Sequence, residues 1–175
     1  MKKFTKYIPT IILTLLCSCS DYLDIVPDNV TTLDIVFNNK NTAQRYLANC
    51  YHFVPDHGSV KRIPGMGAGH ECWFYTDKDS YFDNEVSFYI ARGLQNTNAP
   101  YANYWDGEGG SKLPMFRAIR ECNIFLSYVR DQHKVNDLTD SERKRWIAEV
   151  NVLKAYYHFF LFEHYGPIPI VDEAL

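Results

Sequence analysis

Residues 139–171, TDSERKRWIAEVNVLKAYYHFFLFEHYGPIPIV, constrain the fold more than any other stretch, because they read as one long helix followed by an extended exit. Thr139 and Glu142 form a T-x-x-E capping box, in which side chains satisfy backbone N–H groups that a helix start leaves unpaired. Trp146, Val150, Leu153, Tyr157, Phe160 and His164 recur at helical spacing, and Val152, Ala155, Tyr156, Phe159 and Phe162 add a second apolar stripe. The first turns are therefore amphipathic, and the later ones are expected to be buried nearly all round. Gly166 suits the left-handed position after a helix, and Pro167 and Pro169 cannot continue one. At about 1.5 Å per residue the helix would be roughly 40 Å long, enough to cross a domain. Lys154 and Glu163 interrupt its apolar runs, which are too short for a membrane span.

Two further helices precede it. Asn41 is the expected N-cap of the first, whose stripe is Ala43, Tyr46, Leu47, Cys50, Tyr51 and Val54, and Pro55 stops it. The second runs over residues 115–130, with Phe116, Ile119, Cys122, Asn123, Leu126 and Val129 on one face. Asn123 is the polar member of that stripe, so it should be buried and hydrogen-bonded, for instance to backbone at a helix junction. Residues 133–138 form the turn into the long helix. Between the first two helices, residues 56–114 keep neither a helical nor a strand period, although residues 81–90 are expected to hold a short strand or helical turn. That segment carries most of the glycines and many aromatics, and long irregular segments of this kind are commonly functional.

With 175 residues, 46% of them apolar and 22% charged, the chain has the material of about one globular domain. A net charge of −3 argues against a nucleic-acid partner, which needs clustered Lys and Arg. The one dense basic run, Arg143-Lys144-Arg145, reads as a solvated helix face. Residues 1–18 have the basic start and short apolar run of a secretory signal. Ser18 before Cys19, with Leu16 three positions ahead, resembles a bacterial lipobox, so lipidation of Cys19 is expected, with ordinary secretory cleavage as the alternative. Acyl chains on that residue would anchor the domain to a membrane surface. The expected organisation is a signal over 1–18, a lipidated tether over 19–36 and a helical domain over 37–175. Cys50, Cys72 and Cys122 remain, which permits one internal disulfide and one free thiol. Because Cys50 and Cys122 lie on apolar stripes, buried reduced thiols are expected at least as much as a bridge.

The order of these features is similar to the N-terminal part of the SusD/RagB family of outer-membrane lipoproteins from Bacteroidota. The residues that carry the resemblance are YLDIVP, the helix ending in CY, FRAIRECN, and above all Ala148-Glu149, Leu153-Lys154-Ala155-Tyr156-Tyr157 and Tyr165-Gly166-Pro167-Ile168-Pro169-Ile170-Val171. These match AE-x-x-x-LRA-x-Y-x-x-x-L-x-x-x-YG-x-(I/V)-PLV, except that Lys154 stands where the family usually has Arg. The family also places a Trp one helical turn before the aromatic matched by Phe116; here the nearest is Trp105, separated by DGEGGSKLPM. Family members continue well past their equivalent of Val171, so the resemblance implies a fragment or shortened form. It implies a mostly α fold of tetratricopeptide-like helix hairpins overlaid by a long irregular aromatic-rich loop. It further implies a surface protein that binds oligosaccharides, or in some members peptides, over a TonB-dependent, SusC-like transporter barrel, and that is not an enzyme.

The residue chemistry is compatible with sugar recognition, which needs flat aromatic faces against a pyranose ring and planar polar groups for its hydroxyls, held on loops of a rigid scaffold. The expected ligand contacts are Trp73, Tyr75, Asp77, Asp79, Tyr81, Arg92 and Asn96, with Trp73 foremost; the plainer role for each aromatic is packing the loop onto the helices. Asp77, Asp79, Asp83 and Glu85 offer oxygens to calcium, but Tyr81 and Phe82 break the EF-hand pattern, and no cofactor is expected. The same acids would serve a glycosidase only at a separation that spacing along the chain does not define. The six histidines contain no H-E-x-x-H, and residues 65–69 lack the phosphate-binding glycine pattern.

Overall fold

The computed structural model describes residues 32–58, 64–65, 67–69, 86–108 and 112–173. The chain divides into two units, Met1–Thr32 and Leu33–Leu175, of which the second contains all described residues but Thr32. The signal and Cys19 lie outside the described residues. Those described are mostly helical, with no strand among them: α1 Leu33–Val36, α2 Lys40–Tyr51, α3 Val86–Ala91, α4 Met115–Arg130 and α5 Asp140–Tyr165.

Both ends of α5 follow the local chemistry. The Thr139 hydroxyl accepts from the Glu142 N–H at 3.3 Å, and the Glu142 carboxylate accepts from the Thr139 N–H at 3.2 Å. At the other end Gly166 takes φ +76°, its N–H donating to the Phe162 carbonyl at 2.8 Å. The helices α4 and α5 form an antiparallel hairpin, in which Phe125 meets Trp146 and Arg143 reaches the last turn of α4. Helix α2 packs across both, and Trp146, Val150, Leu153, Tyr157 and Phe160 face the resulting core.

The second apolar stripe of α5 departs from the expected all-round burial. Val152, Phe159 and Phe162 are 69%, 58% and 54% exposed, because α2 and α4 pack on the opposite side and no described element covers this one. The start of α2 also shifts. Asn39 is the cap, with its side chain accepting from Thr42 N–H at 3.1 Å, so Asn41 falls inside the first turn. An asparagine can cap only from extended backbone, which Asn39 has and a residue already in the helix lacks. Ala43, Leu47 and Cys50 are buried, while Tyr51 and Val54 lie at the exposed edge of the stripe.

Arg143 is a larger correction. It is buried, not solvated: its Nη1 donates to the carbonyls of Val129 at 2.6 Å and Asp131 at 3.1 Å, and its Nη2 to those of Lys134 at 3.0 Å and Val135 at 3.1 Å. The planar fork closes the end of α4, where helix carbonyls lack partners and the dipole favours a cation. Asn123 behaves as expected. It is buried, and its amide donates to the carbonyls of Val171 at 3.1 Å and Glu173 at 3.0 Å, holding the extended exit against α4. Across that exit, His158 Nε2 accepts from the Val171 N–H at 3.2 Å while Nδ1 sits 2.8 Å from the Lys154 carbonyl. With Nε2 accepting, Nδ1 is the ring atom that donates to the Lys154 carbonyl.

Lys40, at the start of α2, pairs with Glu142 at the start of α5. The Lys40 ammonium and then the Thr139 groups hold the Glu142 carboxyl down to about 2, below its ordinary 4.5. A depressed carboxylate contributes stability that is complete above its unfolded pKa and disappears as pH falls through the folded one. An NMR titration should therefore find Glu142 ionised down to about pH 2, with its contribution lost between about pH 4.5 and 2. Lys40→Ala should move the carboxyl back toward 4.5; an ordinary carboxylate titration in the unaltered protein would contradict the pairing.

Candidate functional site

The longest described stretch of the irregular segment opens with α3, the helical alternative expected for residues 81–90. Ser87 and Phe88 are buried and seat this short helix. Gly67 lies so close that a Cβ there would be 2.7 Å from the Ser87 Cβ. The chain turns out of α3 through Gly93, at φ +72°, with the Leu94 N–H donating to the Tyr89 carbonyl at 2.9 Å.

From there side chains shape the backbone in place of regular structure. The Asn96 oxygen accepts from the N–H groups of Asn98 at 3.1 Å and Ala99 at 2.8 Å. Gln95 accepts from Tyr101 N–H at 2.8 Å, Asn103 from Trp105 N–H at 3.1 Å, and Asp106 from Glu108 N–H at 2.9 Å. Short amide and carboxylate side chains substitute in this way for the ladder of a helix or sheet. A consequence is that Tyr101 stacks flat on Tyr89, ring centroids 4.1 Å apart and planes 7° from parallel.

Tyr104 ties the loop to the hairpin. It is fully buried, edge-on to Phe160 at 5.0 Å and to His164 at 4.7 Å. Its N–H donates to the Tyr165 hydroxyl at 2.8 Å, and its carbonyl accepts from the Met115 N–H at 2.9 Å. The latter bond caps α4, whose own N-cap residue, Pro114, has no side-chain acceptor to offer. Burial pushes the Tyr104 hydroxyl well above its usual range. Gly107, at φ +79°, brings the chain back over α4, where a Cβ would sit 2.7 Å from Pro114.

Anchored by Tyr104 on one side, Trp105 is turned outward and is 45% exposed. Its ring rests on Phe116 at 4.5 Å and meets Tyr165 edge-on at 5.8 Å. The intervening DGEGGSKLPM therefore leaves Trp105 against Phe116, the aromatic at the start of α4. An exposed indole backed by two rings is a rigid apolar platform with little side-chain freedom left to lose on binding.

Trp73, Tyr75, Asp77, Asp79 and Tyr81 lie outside the described residues, as do the carboxylates considered for calcium. Arg92 and Asn96 fall in one turn after α3. Arg92 is exposed, while Asn96 spends its carbonyl on its own loop. Trp105, considered from the sequence only for its distance from Phe116, and the Tyr89–Tyr101 pair are not among the expected contacts; the usable signal was the run Asn103-Tyr104-Trp105-Asp106, a core aromatic and an outward one bracketed by turn formers. Elsewhere, Arg130, Asn151, Lys154, His158 and Asp172 border a cleft of about 530 Å³ beside the exit. Among the described residues, no group of three or more His, Cys, Asp or Glu is placed to hold a metal ion, and no helix is long and apolar enough to cross a membrane.

A family model described as starch-binding, associating with the outer membrane, matches residues 21–174. No curated protein matches the chain.

Proposed function

Because the chain belongs to the SusD-like family of starch-binding proteins associating with the outer membrane, we propose that it is a surface lipoprotein, anchored through Cys19, that captures oligosaccharides for import through a TonB-dependent transporter barrel. It acts by binding and carries out no reaction. The observation that supports this most is Trp105, an exposed indole fixed from behind by Phe116 and Tyr165. Such a face suits the apolar side of a pyranose, and the aromatic and acidic residues 73–81 supply further rings and planar polar groups. Arg92 serves as a hydroxyl-binding group. Asn96 contributes through its amide and by shaping the loop.

Affinity electrophoresis against a panel of polysaccharides tests the proposal, with retardation by at least one glycan as the expected result. Trp105→Ala and Trp73→Ala should each weaken that retardation about tenfold or more, equivalent to about 1.4 kcal/mol, while moving the melting temperature little. No retardation by any glycan would overturn it. Binding of oligopeptides in calorimetry without sugar binding would instead assign the chain to peptide uptake, and steady release of reducing ends would make it a glycosidase.

A further inference from the structure

Helix α2 ends, and α4 begins, on either side of the long irregular segment, and the last turns of α2 pack against the second turn of α4. Tyr46 on α2 donates its hydroxyl to Glu121 on α4, and Asn49 reaches the same carboxylate at 3.5 Å. The next residue along each helix is a cysteine. Cys50 and Cys122 are both fully buried. The Tyr157 hydroxyl closes over them, donating to the Cys50 carbonyl at 2.5 Å. Both are free thiols in the structure, and the neighbouring Cys122 together with burial pushes the Cys50 thiol far above its ordinary range.

We propose that Cys50 and Cys122 form a disulfide in the exported protein, stapling the two roots of residues 51–121. The inference rests on the export implied by the proposed function, because disulfides persist in oxidising compartments. A disulfide needs its two Cα atoms within about 7 Å, a demand that buried neighbouring side chains on two packed helices can meet. Two S–H bonds are lost and one S–S bond forms. The two electrons and two protons reduce a disulfide donor, a protein disulfide oxidase in the cell or oxidised glutathione in the test, to its two thiols. Thiol exchange needs a thiolate. Both thiols are shut away from any exchange partner once packed, so the bond forms while the chain is still folding. The staple would hold the ends of the segment that carries Trp73, Tyr101 and Trp105.

The chain refolded in a glutathione redox buffer, alkylated and cut with trypsin gives a direct answer, since Cys50, Cys72 and Cys122 fall on separate peptides, residues 46–61, 63–78 and 121–130, and Cys17 and Cys19 on a fourth, residues 7–40. The expected product is the 46–61 peptide linked to 121–130, with Cys72 alkylated. Reduction should lower the melting temperature by roughly 10 °C, the scale for a loop of this length. Cys72→Ser should keep that sensitivity to reductant, and Cys50→Ala should lose it. Alkylation of both Cys50 and Cys122 after oxidative refolding, or a predominant link to Cys72, would overturn the proposal. Glycan retardation is read separately, so failure of the linkage and failure of sugar binding are distinguishable.

Discussion

Arg143→Met is expected to lower the free energy of unfolding by about 3–5 kcal/mol, the range for removing one partner from a buried charge-assisted network. The methionine roughly fills the volume, so the loss isolates the polar function. Four carbonyls, those of Val129, Asp131, Lys134 and Val135, would be left facing each other behind the α4–α5 turn. Their mutual repulsion and lost solvation are what the guanidinium offsets. Arg143→Lys should recover only part of the loss, because one ammonium cannot reproduce two parallel donor edges. Urea unfolding followed by circular dichroism measures both. A cost under about 1 kcal/mol for Arg143→Met would mean that water takes over those carbonyls, and would remove Arg143 from the framework.

Tyr104→Ala is expected to cost a similar 3–5 kcal/mol, the usual scale for truncating a buried aromatic. The deleted ring is fully buried, edge-on to Phe160 and His164, so the void opens in the hairpin core itself. Its second effect concerns the site. With the anchor gone, the backbone that fixes Trp105 over Phe116 loosens, and the Trp105 indole N–H resonance should move toward the position of a solvated side chain. Trp105→Ala, in contrast, should leave stability nearly intact. Equal stability losses in the two variants would make Trp105 a core residue and not a platform.

The hairpin was legible because its signals are local. The T-x-x-E box, the four-and-three spacing of Trp146 to Phe160, and the glycine and proline at 166–167 act within a turn or two of the residues they govern. Asn123 was legible for a related reason: an amide in an apolar stripe must find a partner, even when the stripe does not name it. Arg143 was not, because a charged run looks the same whether it meets water or the inward-facing carbonyls of another helix end. The exposure of Val152, Phe159 and Phe162 was missed on the same ground, since apolarity states what a face prefers and packing decides what it receives. Trp105 lies eleven residues before Phe116, and the turn at Gly107 and the Tyr104–Met115 backbone bond bring them together. In such segments the order comes from individual side chains bonding to backbone, which leaves no period to detect.

Arg143 sits at the closed end of the α4–α5 hairpin and Asn123 at the middle of α4, and each grips backbone of fixed position: the close of α4 for the first, the exit past Gly166 for the second. Together they measure the two helices against one another like two separate marks on a ruler. Sliding α5 by a single turn, about 5.4 Å, would break both grips at once. The pair therefore gives the hairpin one permitted alignment, and amide hydrogen exchange in α4 and α5 should proceed as a single cooperative opening, without progressive fraying from the tips.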